Sequence, residues 1–76
     1  MSKAEDILRG LGGRDNVTEL EPCITRLRVE VADQERVDDE ALRAAGAFGV
    51  VRSGRVVQVV VGPTADTLAS EIADLD

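Results

Sequence analysis

Leu20-Glu21-Pro22-Cys23-Ile24-Thr25-Arg26-Leu27-Arg28-Val29-Glu30-Val31 is the stretch on which the reading of the fold turns. From Arg26 onward apolar and charged residues alternate strictly. Leu27, Val29 and Val31 fall on one side, and Arg26, Arg28 and Glu30 on the other. A period of two belongs to a β-strand, and this division marks one buried and one solvated face. Pro22-Cys23-Ile24-Thr25 reads as the turn joining it to a preceding strand over residues 17–21. A four-residue turn predicts Glu21 opposite Arg26 and Glu19 opposite Arg28.

Working outward, residues 2–11 carry Ile7, Leu8 and Leu11 at helical spacing. Ser2 is placed to cap that helix, Glu5 and Asp6 favour its first turn, and Gly12-Gly13 stops it. Residues 33–37 are a polar connection. Asp38 can cap a second helix that runs to Ala45, burying Ala41, Leu42 and Ala45, and Gly46 ends it. Residues 48–52 and 56–61 read as two more strands around the tight turn Ser53-Gly54-Arg55. Gly62-Pro63 opens a last helix with Leu68, Ile72 and Leu75 on its apolar stripe. The order α-β-β-α-β-β-α predicts an α+β fold. It is a single-layer, four-stranded, mostly antiparallel sheet with three helices packed on one face and the other face open to water.

Seventy-six residues make one domain, residues 1–76, with a thin core. One Phe and no Trp or Tyr make that core aliphatic. A net charge of −6 argues against nucleic acid, whose binding needs excess Lys and Arg, and against an anionic membrane surface. No apolar run approaches the roughly 18 residues of a membrane span, and the acidic start from Met1 to Asp6 is not a signal peptide. One cysteine excludes an internal disulfide and fits a reducing, cytoplasmic compartment. Histidine is absent, which removes the commonest general base and metal ligand. No metal and no cofactor is expected. The Met1 start and the acidic end Asp74-Leu75-Asp76 favour a complete small protein.

The open face carries the candidate chemistry. With Leu27 and Val29 turned to the helices, Arg26 and Arg28 point out together, about 7 Å apart. Gln58 shares its face with Val56 and Val60, and is placed outward because a buried amide would lack partners in an aliphatic core. Two Arg opposite two Glu are equally the ion pairs of any half-exposed ladder, each contributing roughly 0.2–1 kcal/mol. A free Cys is often just a small buried hydrophobe. Against that stand the turn position of Cys23 and its closeness to Arg26 and Arg28. A guanidinium roughly 6 Å from a thiolate favours the anion by on the order of 1–3 kcal/mol at an effective dielectric of ~20. The same pair of arginines suits a phosphoryl group, held through charge-assisted, bidentate bonds. The residues alone therefore give a reactive thiol beside an anion site.

The run Leu20 to Val29 resembles the phosphorylation-site motif of the glucose-type enzyme IIB family of the bacterial sugar phosphotransferase system, L-D-x-C-[IT]-T-R-L-R. The resemblance continues through Ile7-Leu8, Leu11-Gly12-Gly13, Val37-Asp38, Leu42, Gly46-Ala47, Gly49-Val50-Val51, Val57-Gln58-Val59, Gly62 and Ala65-Asp66. It implies a phosphoryl carrier, a phosphotransferase component. Cys23 would take the group from a phosphohistidine of enzyme IIA and pass it to a sugar on the membrane-embedded enzyme IIC. The resemblance makes Arg26 and Arg28 catalytic, with Thr25, Gln58, Glu21 and Ile24 as supporting residues around the phosphoryl group. It implies a cytoplasmic domain working at the inner face of the membrane, on glucose or N-acetylglucosamine. Glu21 stands where the family usually has Asp, and Pro22, which lacks an N–H, where a small residue is common. The alternatives are a non-catalytic ligand- or protein-binding module and a thiol redox protein. The latter lacks a second Cys to resolve an oxidised thiol.

Overall fold

A computed structural model describes residues 2–75; the residues Met1 and Asp76, on which the reading of a complete chain rested, lie outside it. The chain forms α1 (Lys3–Gly10), β1 (Val17–Cys23), β2 (Arg26–Val31), α2 (Asp39–Ala44), β3 (Gly49–Ser53), β4 (Val56–Val60) and α3 (Ala65–Ala73). Short 3₁₀ turns, Arg14–Asn16 and Gln34–Arg36, precede β1 and follow β2. The strands lie in the order β1-β2-β4-β3 and every neighbouring pair is antiparallel. The expected α+β architecture is the one observed.

Local signals act where the sequence places them. Ser2 and Glu5 form a reciprocal capping box at the start of α1. The Asp38 carboxylate accepts from the Ala41 N–H at 3.1 Å and starts α2. The last helix starts later than expected: Thr64 is its N-cap, and Pro63 lies before the cap rather than in the first turn. The reason is Gly62, whose backbone at φ 86° turns the chain before any helical bond forms.

The inner face of the sheet supplies Leu27, Val29, Val31, Val57 and Val59, all essentially fully buried. Ile7, Leu11, Leu42, Leu68 and Ile72 from the helices close over them. Each such side chain contributes roughly 1.5–3 kcal/mol by leaving water, which is how a core without aromatic rings holds a chain this short.

The register departs from expectation. The turn has two residues, Ile24 and Thr25, and β1 runs on through Pro22 to Cys23. Cys23 therefore faces Arg26 and Glu21 faces Arg28, two residues out of step with the predicted pairs. An edge strand tolerates Pro because an outward-facing residue has no ladder bond to lose.

The same structure hides a clasp. Asn16 is fully buried; its amide donates to the Leu11 and Asp33 carbonyls at 2.7 and 3.0 Å and accepts from the Asp33 N–H at 2.9 Å. It ties the end of α1 to the end of β2. Gly12, at φ 103°, lies against it: a Cβ there would come within 2.6 Å of the Asn16 amide nitrogen.

Candidate functional site

The outer face of the sheet is a grid set by the register. Its end row reads Cys23, Arg26, Val60 and Gly49 across the four strands; the next reads Glu21, Arg28, Gln58 and Val51; the third reads Glu19, Glu30, Val56 and Ser53. Facing residues on antiparallel strands share a side of the sheet. Cys23, Arg26, Arg28, Gln58 and Glu21 are thus gathered on one surface, and the thiol is exposed to solvent.

Two guanidiniums serve this surface, held in different ways. Arg26 donates from Nη1 to the Gln58 amide oxygen at 2.9 Å. Arg28 lies 3.7 Å from a Glu21 carboxylate oxygen, an ion pair too long for a hydrogen bond, with both side chains largely in water. Glu21 was expected among the residues around the phosphoryl group. Glu21, two residues before Cys23 on the same strand, contacts Arg28.

The turn that carries the thiol is fixed by its backbone. The Thr25 carbonyl accepts from the consecutive N–H groups of Val61 and Gly62, both at 2.9 Å, pinning the hairpin tip to the end of β4. Ile24 adopts φ 56°, the left-handed region that a β-branched side chain strongly disfavours. Its side chain is 88% exposed. Ile24 therefore gives up both backbone ease and burial, and contributes nothing to the core.

Phe48 is the residue that the sequence reading passed over. The single aromatic of the chain is 78% exposed. Its N–H donates to the Val60 carbonyl at 2.7 Å, and its ring lies over Gly62, where a Cβ would come within 3.1 Å of the ring. Ile24 and Phe48 thus stand at the same end of the sheet as Cys23, an apolar rim beside a cationic pair. The sequence reading begins the third strand at Phe48, whereas β3 begins at Gly49, which leaves Phe48 just before the strand.

Among the described residues no group of three or more His, Cys, Asp or Glu could hold a metal ion, and no helix is long and apolar enough to cross a membrane.

Residues 5–38, which include most of α1, the β1–β2 hairpin and Cys23, match the family described as phosphotransferase system, EIIB. The N-acetylglucosamine-specific EIIB component of the phosphotransferase system of Streptomyces coelicolor is 58% identical over 74 residues, spanning 97% of this chain and 96% of the relative. The chain belongs to the EIIB family. A crystal structure of one domain of the IIabc component of the phosphotransferase system from Clostridium difficile is similar as well. It has a TM-score of 0.79 and 25% identity, over 95% of this chain and 76% of that one. As an EIIB component the protein is a phosphotransferase component and a phosphoryl carrier in sugar uptake, working with other components of that system. Neither a plain binding module nor a redox protein describes it.

Proposed function

We propose that Cys23 carries the phosphoryl group, and that residues 1–76 form one EIIB domain that takes it from a phosphohistidine of enzyme IIA. The observation that carries this reading is the facing of Cys23 by Arg26 at the solvent-exposed end of the β1–β2 hairpin, with Arg28 one row behind. The thiolate sulfur attacks phosphorus as the P–N bond of the phosphohistidine breaks, and the imidazole nitrogen keeps the bonding pair. In the second step a sugar hydroxyl oxygen attacks phosphorus and the S–P bond breaks. The thiolate returns, and the hydroxyl proton passes to a base on the acceptor. Both transition states spread negative charge over the phosphoryl oxygens, and Arg26 and Arg28 are placed to neutralise it. Thr25 and the turn's N–H groups are further candidates to hold those oxygens.

Ile24 and Phe48 stand at the same end of the sheet as the sulfur, on a surface that a donor protein must cover for its phosphohistidine to reach it. Onward transfer is to a sugar held by the membrane-embedded enzyme IIC, which puts the domain in the cytoplasm at the inner face of the membrane. The near full-length likeness to the Streptomyces coelicolor protein favours N-acetylglucosamine as that sugar.

The test is reconstitution with phosphoenolpyruvate, enzyme I, the histidine carrier and enzyme IIA, followed by intact mass. The native chain should gain one phosphoryl group and Cys23→Ser none. A chain left unlabelled by active upstream components overturns the reading. Adding N-acetylglucosamine or glucose to membranes bearing enzyme IIC then decides the sugar.

A further inference from the structure

Resting on the carrier reading of Cys23, we infer that Glu21 sets the phosphoryl-transfer potential of the site by competing with the phosphoryl group for Arg28. Three observations lead there. Glu21 lies two residues before Cys23 on the same strand, so the two side chains leave the same face of β1 about 7 Å apart. A phosphoryl group on the sulfur, carrying close to two negative charges at neutral pH, therefore has a carboxylate for its neighbour. Glu21 also occupies the cation that such a group needs. Its contact with Arg28 is a loose ion pair at 3.7 Å, whereas Arg26 is hydrogen-bonded at 2.9 Å to the neutral amide of Gln58. Arg26 thus offers its charge uncompensated, and Arg28 is shared. Behind Glu21 the next row of the face is acidic on both strands, with Glu19 opposite Glu30. Among the described residues, the register positions of that row, Glu19, Glu30, Val56 and Ser53, include no cation.

The consequence is thermodynamic. A carrier bound tightly to its cargo is a trap, because whatever stabilises phosphocysteine must be given back when the sugar takes the group. Glu21 leaves the phosphorylated state under-neutralised, so the S–P bond stays high in free energy and the group moves on. A residue that served only to join two strands would do none of this, and the isosteric variant Glu21→Gln separates the two roles. It keeps the length and polarity of the side chain and removes the charge.

The experiment measures the equilibrium distribution of phosphoryl between enzyme IIA and Cys23, and the first-order rate at which isolated phosphorylated protein passes the group to sugar on membranes bearing enzyme IIC. In Glu21→Gln the distribution should move three- to ten-fold toward phosphocysteine, and the onward rate should fall by a similar factor. Glu21→Asp should restore both. Raising salt from 0.05 to about 1 M should shrink the difference, because exposed charges 7 Å apart are screened at a Debye length of about 3 Å. The melting temperature of the variant should stay within about 2 °C of the native one. A distribution unchanged within two-fold at low salt overturns the inference, and a melting shift without a phosphoryl shift assigns Glu21 to the ladder alone. If the native chain takes no phosphoryl group, it is the carrier reading that has failed instead.

Discussion

Arg26 bonds to Gln58 although the two are not register neighbours: Arg26 faces Val60, and Gln58 faces Arg28. The bond runs diagonally across β2 and β4 and leans the Arg26 head along the face toward the second row. Gln58 is thereby the partner of one arginine and the neighbour of the other. Removing its amide with Gln58→Leu should leave melting within about 2 °C, since the residue is only half-buried on the open face. Transfer from phosphorylated Cys23 to sugar should drop about ten-fold, as expected for one charge-assisted contact worth ~1.5 kcal/mol. Rapid-quench measurement of onward transfer checks this; an unchanged rate would leave Gln58 as a solvated strand residue.

Ile24 is the least comfortable residue of the fold. The left-handed conformation costs an L-residue roughly 1–2 kcal/mol, and Ile24→Gly removes that cost while adding flexibility to the unfolded chain. The net gain should be about 0.5–1 kcal/mol, seen as a rise of roughly 2–8 °C in melting temperature. The same variant should need several-fold more enzyme IIA for half-maximal phosphorylation of Cys23, because an apolar rim residue is gone. A variant less stable than the native protein would sink the strain argument.

Asn16 lies just before β1, at the opposite end of that strand from the thiol, and holds the frame that carries it. Asn16→Leu fits the volume and leaves the Leu11 carbonyl and the Asp33 N–H without partners, while the Asp33 carbonyl keeps the Arg36 N–H at 3.2 Å. At about 1–3 kcal/mol for each of these two groups the loss should reach about 2 kcal/mol or more. Urea denaturation followed by far-ultraviolet circular dichroism measures it, and a loss below 1 kcal/mol would show that the clasp is dispensable.

Two carboxylates carry a lowered pKa in the folded chain and should contribute to the acid limb of stability. Hydrogen bonds from the Ser2 backbone and hydroxyl hold Glu5 below its ordinary value of 4.5, and a hydrogen bond from Arg36, with its charge, holds Asp15 below its ordinary 3.8. A depressed folded value means that the stabilisation is complete above the ordinary value and is lost as pH falls through the lowered one. Stability should therefore decline below about pH 4.5. Glu5→Gln and Asp15→Asn should lower stability near neutral pH and flatten that decline. A parallel acid limb in both variants, read by melting from pH 7 to pH 2.5, would place the proton uptake elsewhere.

The parts of the fold legible in the sequence were those with local causes. Strict alternation in β2 identified its two faces, and the caps at Ser2 and Asp38 identified the helix starts. Gln58 was placed outward because the core had nothing to offer it, and Val57 and Val59 do point inward. The register was misread for a physical reason. Pro22 is a turn residue by habit, and a β-branched Ile24 argues against the positive φ that a two-residue turn demands, so both residues pointed to a longer loop. The sheet overrode them. The role of Asn16 was invisible for the opposite reason: its three partners come from residues up to 17 positions away, and no local pattern announces them.

The placement of the lone phenyl ring has a practical consequence. With no tyrosine or tryptophan, the chain is nearly transparent in the near ultraviolet, and its single phenyl ring stands exposed at the end of the sheet that carries Cys23. Fluorine on that ring would give a one-line magnetic resonance spectrum, so that each change of occupant could be followed as the movement of a single peak.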